Sequence, residues 1–124
     1  MKLRAIAVIA AIVLVGCASM GGSMPAKVEG GVFVNTAGMT LYTFDKDAAG
    51  SGKSVCNGQC AVAWPPLMAG ASDQATGDWS VVTRDDGSKQ WGYKGKPLYL
   101  WNKDQKPGDK TGDGVLKVWS LARP

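Results

Sequence analysis

Gly38-Met39-Thr40-Leu41-Tyr42-Thr43-Phe44-Asp45-Lys46-Asp47 returns as Gly95-Lys96-Pro97-Leu98-Tyr99-Leu100-Trp101-Asn102-Lys103-Asp104, and both reduce to Gly-x-x-Leu-Tyr-x-aromatic-x-Lys-Asp at an offset of 57 residues. That offset is longer than the roughly 20–45 residues of stacked solenoid repeats, so it implies two related units within one domain, a pattern that suits pseudo-two-fold symmetry. Side chains alternate across a strand, which puts Tyr42 and Phe44 on one face opposite Leu41 and Thr43; Tyr99 and Trp101 repeat this opposite Leu98 and Leu100. Each unit therefore has an aromatic face backed by a more aliphatic one. Asp47 and Asp104 then open polar loops. Two readings follow: each carboxylate accepts backbone N–H bonds and fixes its turn, or the aromatic pairs and their aspartates line a shared groove for a small or polymeric ligand.

Working outward, further short runs alternate with period two: Val32-Phe33-Val34, Thr40 to Phe44, Trp79 to Thr83, Lys89 to Tyr93, Pro97 to Trp101, and Val115 to Leu121. Turn clusters such as Thr36-Ala37-Gly38, Arg84-Asp85-Asp86-Gly87, Lys94-Gly95 and Gly108 to Gly114 separate them. The expected class is all-β, a small antiparallel, hairpin-rich domain of two related repeats. At most one short helix is expected, around Gln59 to Trp64 after the disulfide loop, stopped by Pro65-Pro66.

At the N-terminus, Lys2 and Arg4 precede an apolar run from Ala5 to Gly16, and Leu14-Val15-Gly16-Cys17 resembles a lipobox. The run is shorter than the roughly 20 residues that span a bilayer, so residues 1–16 read as a cleaved signal peptide and Cys17 as a lipidated, palmitate-bearing cysteine. Two or more acyl chains suffice for stable attachment. The expected partner is thus the membrane, reached through the N-terminal lipid. Ala18 after the cysteine points to the outer membrane, facing the periplasm, if the host is Gram-negative. Residues 17–30, rich in Ser, Met, Gly and Pro, read as the lipidated cysteine and a flexible tether, leaving 31–124 as the single domain.

Removal of Lys2 and Arg4 leaves 12 basic against 10 acidic residues, a net charge of +2 that gives no support to nucleic-acid binding. Setting Cys17 aside leaves Cys56 and Cys60, an even pair in an oxidising compartment, spaced across Asn57-Gly58 so that a turn can bring them together as a disulfide. The chain has no histidine. That removes Ser-His-Asp and Cys-His units, His-Glu-x-x-His zinc sites and ordinary blue-copper ligand sets. Glu29 is the one glutamate, so paired-carboxylate chemistry would fall to aspartates. Asp104, Asp109 and Asp113 invite a calcium reading, but Lys103, Lys106 and Lys110 stand among them and the spacing is not that of an EF-hand loop; no metal site is expected. No cofactor is expected either.

Trp79, Trp91, Trp101 and Trp119 fall on expected strands, where burial supplies core, while Trp64 is placed to plug the disulfide loop onto the sheet. Several such rings exposed together would instead mark a site for a sugar, quinone, peptide or partner protein. The chain resembles the secreted-repeat bacterial lipoproteins known for a Tyr-x-aromatic-x-x-Asp motif. The resemblance rests on Tyr42-x-Phe44-x-x-Asp47, Cys56-Asn57-Gly58-Gln59-Cys60, Trp64-Pro65-Pro66-Leu67, Gln90-Trp91-x-Tyr93-x-Gly95, and Tyr99-x-Trp101-x-x-Asp104 with Pro107-Gly108-Asp109. It implies an envelope protein of largely unknown function, with no catalytic residues to carry over. The expected role is a non-catalytic binding or envelope-assembly module with an envelope protein or small molecule as partner. The alternative is a redox or electron-transfer accessory with a bound cofactor or metal.

Overall fold

A computed structural model describes residues 24–124; the signal-peptide reading, Cys17 and the tether up to residue 23 lie outside the described residues. The chain forms short antiparallel strands: β1 (Lys27–Glu29), β2 (Val32–Val34), β3 (Tyr42–Phe44), β4 (Met68–Ala69), β5 (Trp79–Thr83), β6 (Lys89–Tyr93), β7 (Lys96–Pro97) and β8 (Trp119–Leu121). One short helix, α1 (Gln59–Ala63), begins inside the disulfide loop, one residue earlier than its closing Cys60, and ends at Trp64, ahead of Pro65. The fold is thus mostly β with two repeats, as the alternation implies.

Three boundaries differ from the sequence reading. The tether gives way before residue 30, because Lys27–Glu29 pairs with Val32–Val34 and Ala26 is buried in the core. Pro97 to Trp101 is not one continuous strand. It contributes Lys96–Pro97 to β6 and then crosses the molecule, with Tyr99 bridging Tyr42 and Pro66. Val115 to Leu121 opens as a tight turn, Val115–Lys117, with Leu116 and Lys117 at positive φ, before β8 begins. In each case tertiary contact overrides a local pattern too short to fix its own ends.

The repeats exchange their last strands. The closing strand of the second, β8, pairs with β3 of the first, and the closing strand of the first, β4, pairs with β6 of the second. Backbone hydrogen bonds repeat this in matched sets. The Phe33 N–H donates to Ala122 O and the Trp91 N–H to Leu67 O, both at 2.8 Å. Likewise the Ala122 N–H donates to Leu41 O and the Leu67 N–H to Leu98 O, both at 2.9 Å. At the centre Tyr42 and Tyr99 donate to each other's carbonyls, at 2.8 and 2.9 Å. A pseudo-two-fold axis therefore passes between the two motif tyrosines. Neither half can close its backbone pairing alone, which makes one cooperative unit of two small repeats.

The two faces of the motif strands bury different clusters. Leu41 and Leu98 face an apolar core with Phe33, Leu67, Trp79 and Trp91. Tyr42, Phe44 and Tyr99 face an aromatic core with Trp64, Trp119 and Cys56. The glycine that opens each motif sits in the left-handed region, Gly38 at φ 88° and Gly95 at φ 84°, where a side chain would be strained. At Gly95 a Cβ would also stand 2.6 Å from the Gly50 nitrogen. This is why both copies begin with glycine.

Candidate functional site

Of the residues singled out in the sequence, Tyr42, Phe44, Asp47, Trp64, Tyr99, Trp101 and Asp104 assemble into one body about the pseudo-axis. Trp101, Trp64, Trp119 and Phe44 stack in a column, with centroid separations of 3.9, 3.7 and 4.2 Å. The central Trp64–Trp119 pair is nearly parallel, at 5°. The column is itself pseudo-symmetric, since Trp64 stands just before the closing strand β4, Trp119 opens the closing strand β8, and each outer ring is the second aromatic of a motif. Tyr42 meets Trp64 edge-on at 5.4 Å and Tyr99 meets Trp119 edge-on at 5.2 Å. Each such pair contributes about 0.5–1.5 kcal/mol beyond the apolar area it buries.

Each tyrosine hydroxyl is held by the aspartate of the other repeat. Tyr42 Oη donates to Asp104 Oδ2 at 2.6 Å, and Tyr99 Oη donates to Asp47 Oδ2 at 2.5 Å. The remaining carboxylate oxygens accept local donors: Asp47 Oδ1 takes the Val55 N–H, and Asp104 Oδ1 takes the N–H and hydroxyl of Thr111. Both aspartates thus fix their loops, as one sequence reading has it. They also cross-link the repeats, which spacing alone did not reveal.

A buried cation completes the network. Arg84, 6 % exposed, donates to Ser54 Oγ and Gln90 Oε1 through one terminal nitrogen and to Cys56 O and Asn57 Oδ1 through the other. Ser54 lies 2.6 Å from Tyr99 Oη, so the guanidinium is joined to the Asp47 carboxylate through two hydroxyls. Gln90, fully buried, donates onward to Leu98 O. Arg84-Asp85-Asp86-Gly87 reads as a turn by composition, yet the alternation of β5 continued one residue past Thr83 puts Arg84 on the face of Val82, and that parity is the available signal. Gln90 stands in the Gln90-Trp91-x-Tyr93-x-Gly95 block without any sign of this role, and Ser54 carries no comparable mark.

The disulfide joins Cys56 and Cys60 with Cα atoms 5.2 Å apart. In the chain-entropy account closing so short a loop stabilises by roughly 2 kcal/mol. It also ties the peptide that Arg84 grips to the helix that delivers Trp64. Gly112 covers the other side of the column; a Cβ there would fall 2.8 Å from Trp64, 2.9 Å from Tyr42 and 3.0 Å from Trp101. Only a residue without a side chain lets that loop seat on the rings.

Of the other expected residues, Trp91 is buried in the apolar core, where it meets Trp79 edge-on at 6.3 Å. Asp109 links the repeats only through its backbone carbonyl, which accepts from the Thr40 hydroxyl at 2.6 Å, while its carboxylate is taken up locally by the Lys106 ammonium and the N–H groups of Gln105 and Lys106. Those contacts hold it below the usual carboxylate range, the Lys106 hydrogen bond foremost. The carboxylates of Asp104 and Asp109 therefore serve different partners. Asp85-Asp86-Gly87 turns the β5–β6 hairpin, with Asp86 accepting from the Ser88 N–H and hydroxyl.

Among the described residues, two open depressions of the surface differ in their lining. The larger, about 380 Å³, lies beside Met24, Asn35, Met68, Asp73 and Trp91. The smaller, about 290 Å³, has Tyr93, Leu98 and Leu121 in its wall, with Lys94, Lys96 and Arg123 around it. Lys96 is already engaged, donating to Phe44 O and Asp47 O. Neither depression opens between the motif aromatics. Among the described residues no helix is long and apolar enough to cross a membrane.

Both motif phenols are pushed well above the ordinary value of 10.0, first by burial and then by the aspartate that accepts their proton. A raised folded-state value means that this contribution is complete below about pH 10 and is lost as pH rises past it, because the unfolded chain ionises first. On alkaline titration two of the three tyrosines are therefore expected to ionise together with loss of the fold. Ultraviolet tyrosinate absorbance followed alongside circular dichroism checks this. Gradual ionisation of all three with the fold intact would contradict it.

The geometry defines a strand-exchanged, two-repeat β domain whose motif residues build its interior. Residues 26–68 and 80–123 each match the family model described as a secreted repeat of unknown function, and the chain belongs to that family. No curated protein and no solved structure matches the chain.

Proposed function

We propose that the chain is exported, lipid-anchored through Cys17 and displayed in the cell envelope as a non-catalytic binding or assembly module for another envelope protein. The lipobox-like Leu14-Val15-Gly16-Cys17 and membership of a secreted-repeat family support the anchoring. One observation carries the assembly reading: the motifs are engaged in joining the repeats, whereas the segments that follow them turn apolar side chains outward. Val55, Val62 and Leu116 are 56, 64 and 82 % exposed. Leu116 and its neighbour Lys117 also hold left-handed backbones, φ 53° and 60°, a conformation that is strained for such side chains. Strain that presents a leucine to solvent suits a contact with an apolar partner surface.

The test compares wild type with Cys17→Ser and Leu116→Ser in cells, using a photocrosslinking residue at position 117. Cys17→Ser is expected to leave the membrane fraction; its retention there would rule out the lipid anchor. Leu116→Ser is expected to stay anchored and folded but to lose a discrete crosslinked adduct with an envelope protein. Absence of any adduct from the otherwise wild-type chain would count against assembly.

A further inference from the structure

We infer that the aromatic column is a one-electron relay, taking an oxidising equivalent in at Trp101 and delivering it to the two tyrosine–aspartate pairs. This stands apart from the anchoring and assembly reading and needs no bound cofactor or metal. Indole and phenol are the aromatic side chains most readily oxidised by one electron, and here they touch in series. Trp101, Trp64 and Trp119 follow one another at 3.9 and 3.7 Å, and the tyrosines stand edge-on to the two central indoles at 5.4 and 5.2 Å.

The ends of the series differ. Trp101 is partly exposed, whereas Trp64 and Trp119 are 4 and 3 % exposed. At the other end the ring is Phe44, which is far harder to oxidise than indole, so the charge is not passed out that way. The tyrosines are the terminus because each is already donating its proton to a buried carboxylate. A phenol that loses an electron becomes a strong acid. Its proton needs an acceptor in place, which Asp47 and Asp104 supply without movement.

An oxidant of the oxygen-radical class takes one electron from Trp101 and is reduced by one. Trp64 refills Trp101, and Trp119 refills Trp64. Tyr99 then refills Trp119 as its Oη–H bond breaks and an O–H bond forms on Asp47 Oδ2, leaving a neutral tyrosyl radical beside a protonated aspartate. Tyr42 serves Trp64 in the same way, with Asp104 as acceptor. A one-electron reductant of the ascorbate class restores the tyrosine, whose proton returns from the aspartate.

In the test, the full chain is oxidised in a flash by a photogenerated ruthenium(III) polypyridyl complex, and the radical is followed by transient absorption and electron paramagnetic resonance with ring-deuterated tyrosine. A tyrosyl radical is expected. It should form more slowly in heavy water, persist in Tyr93→Phe and vanish in the Tyr42→Phe, Tyr99→Phe double variant. Trp101→Phe should slow its formation while the fold is kept, since the pseudo-symmetric position already carries Phe44. Should the double variant fail to fold, the Trp101→Phe rate and the Tyr93→Phe spectrum decide. Formation that is indifferent to Trp101→Phe, or a signal that disappears in Tyr93→Phe, overturns the relay.

Discussion

Trp64→Ala is expected to destabilise the domain by roughly 3–5 kcal/mol, the range for truncating a buried large aromatic. Trp64 is 4 % exposed and is stacked on both faces, by Trp101 and by Trp119, while Tyr42 meets its edge. Removing it deletes two stacks and one edge contact at once, and it opens a cavity on the pseudo-axis that neither repeat can fill by itself. For a small domain with about 5–15 kcal/mol of total stability, that is a large fraction. Trp119→Ala should cost a similar amount, because it occupies the matching place in the other repeat. Urea unfolding followed by circular dichroism measures both, and Leu116→Ser, at an exposed position, provides the comparison. A loss below about 1 kcal/mol for either tryptophan, the level of an ordinary substitution, would show that the column does not hold the repeats together.

The second large effect concerns the crossed hydrogen bonds. Asp47→Ala strips a partner from the Tyr99 hydroxyl and leaves the Val55 N–H unpaired; Asp104→Ala does the same to Tyr42 and to the Thr111 N–H. Both carboxylates are buried, at 1 and 8 % exposure. In each variant the buried donor that loses its acceptor is the tyrosine hydroxyl, at about 1–3 kcal/mol, so a loss of roughly 1–3 kcal/mol is expected. The pairing itself is tested by double-mutant cycles on folding stability. Asp47 with Tyr99, and Asp104 with Tyr42, should show couplings of about 0.5–3 kcal/mol, as contacting residues do. Asp47 with Tyr42, and Asp104 with Tyr99, should couple more weakly although they lie closer in sequence. The reverse ranking would mean that each motif closes on itself.

Much of the fold was legible because its signals are local. Period-two alternation marked Val32–Val34 and the β5–β6 hairpin, the Asn57-Gly58 turn marked the disulfide, and Pro65-Pro66 marked the end of α1. The recurring Leu-Tyr pair foretold a two-faced strand, and Leu41 and Tyr42 are indeed buried in different clusters. Strand ends were less legible. Lys27–Glu29 looks like tether until its pairing with Val32–Val34 is known, and Pro97 to Trp101 looks like strand until Tyr99 is seen to cross to Tyr42. Arg84 was hidden by its position next to Asp85-Asp86-Gly87, where composition says turn while parity says interior.

The sequence by itself determined that two copies of one β unit share a domain, that their aromatic and aliphatic faces are separate, and that Cys56 and Cys60 lie within bonding reach. Such properties follow from side-chain alternation and turn chemistry acting over a few residues. Tertiary structure alone decided that the closing strands change places, that Tyr42 answers to Asp104 and Tyr99 to Asp47, and that four rings from both repeats form one column. A hydrogen bond or a stacked pair between residues dozens of positions apart depends on where the backbone returns, and a short motif reads the same whether its aspartate serves its own tyrosine or the one across the axis.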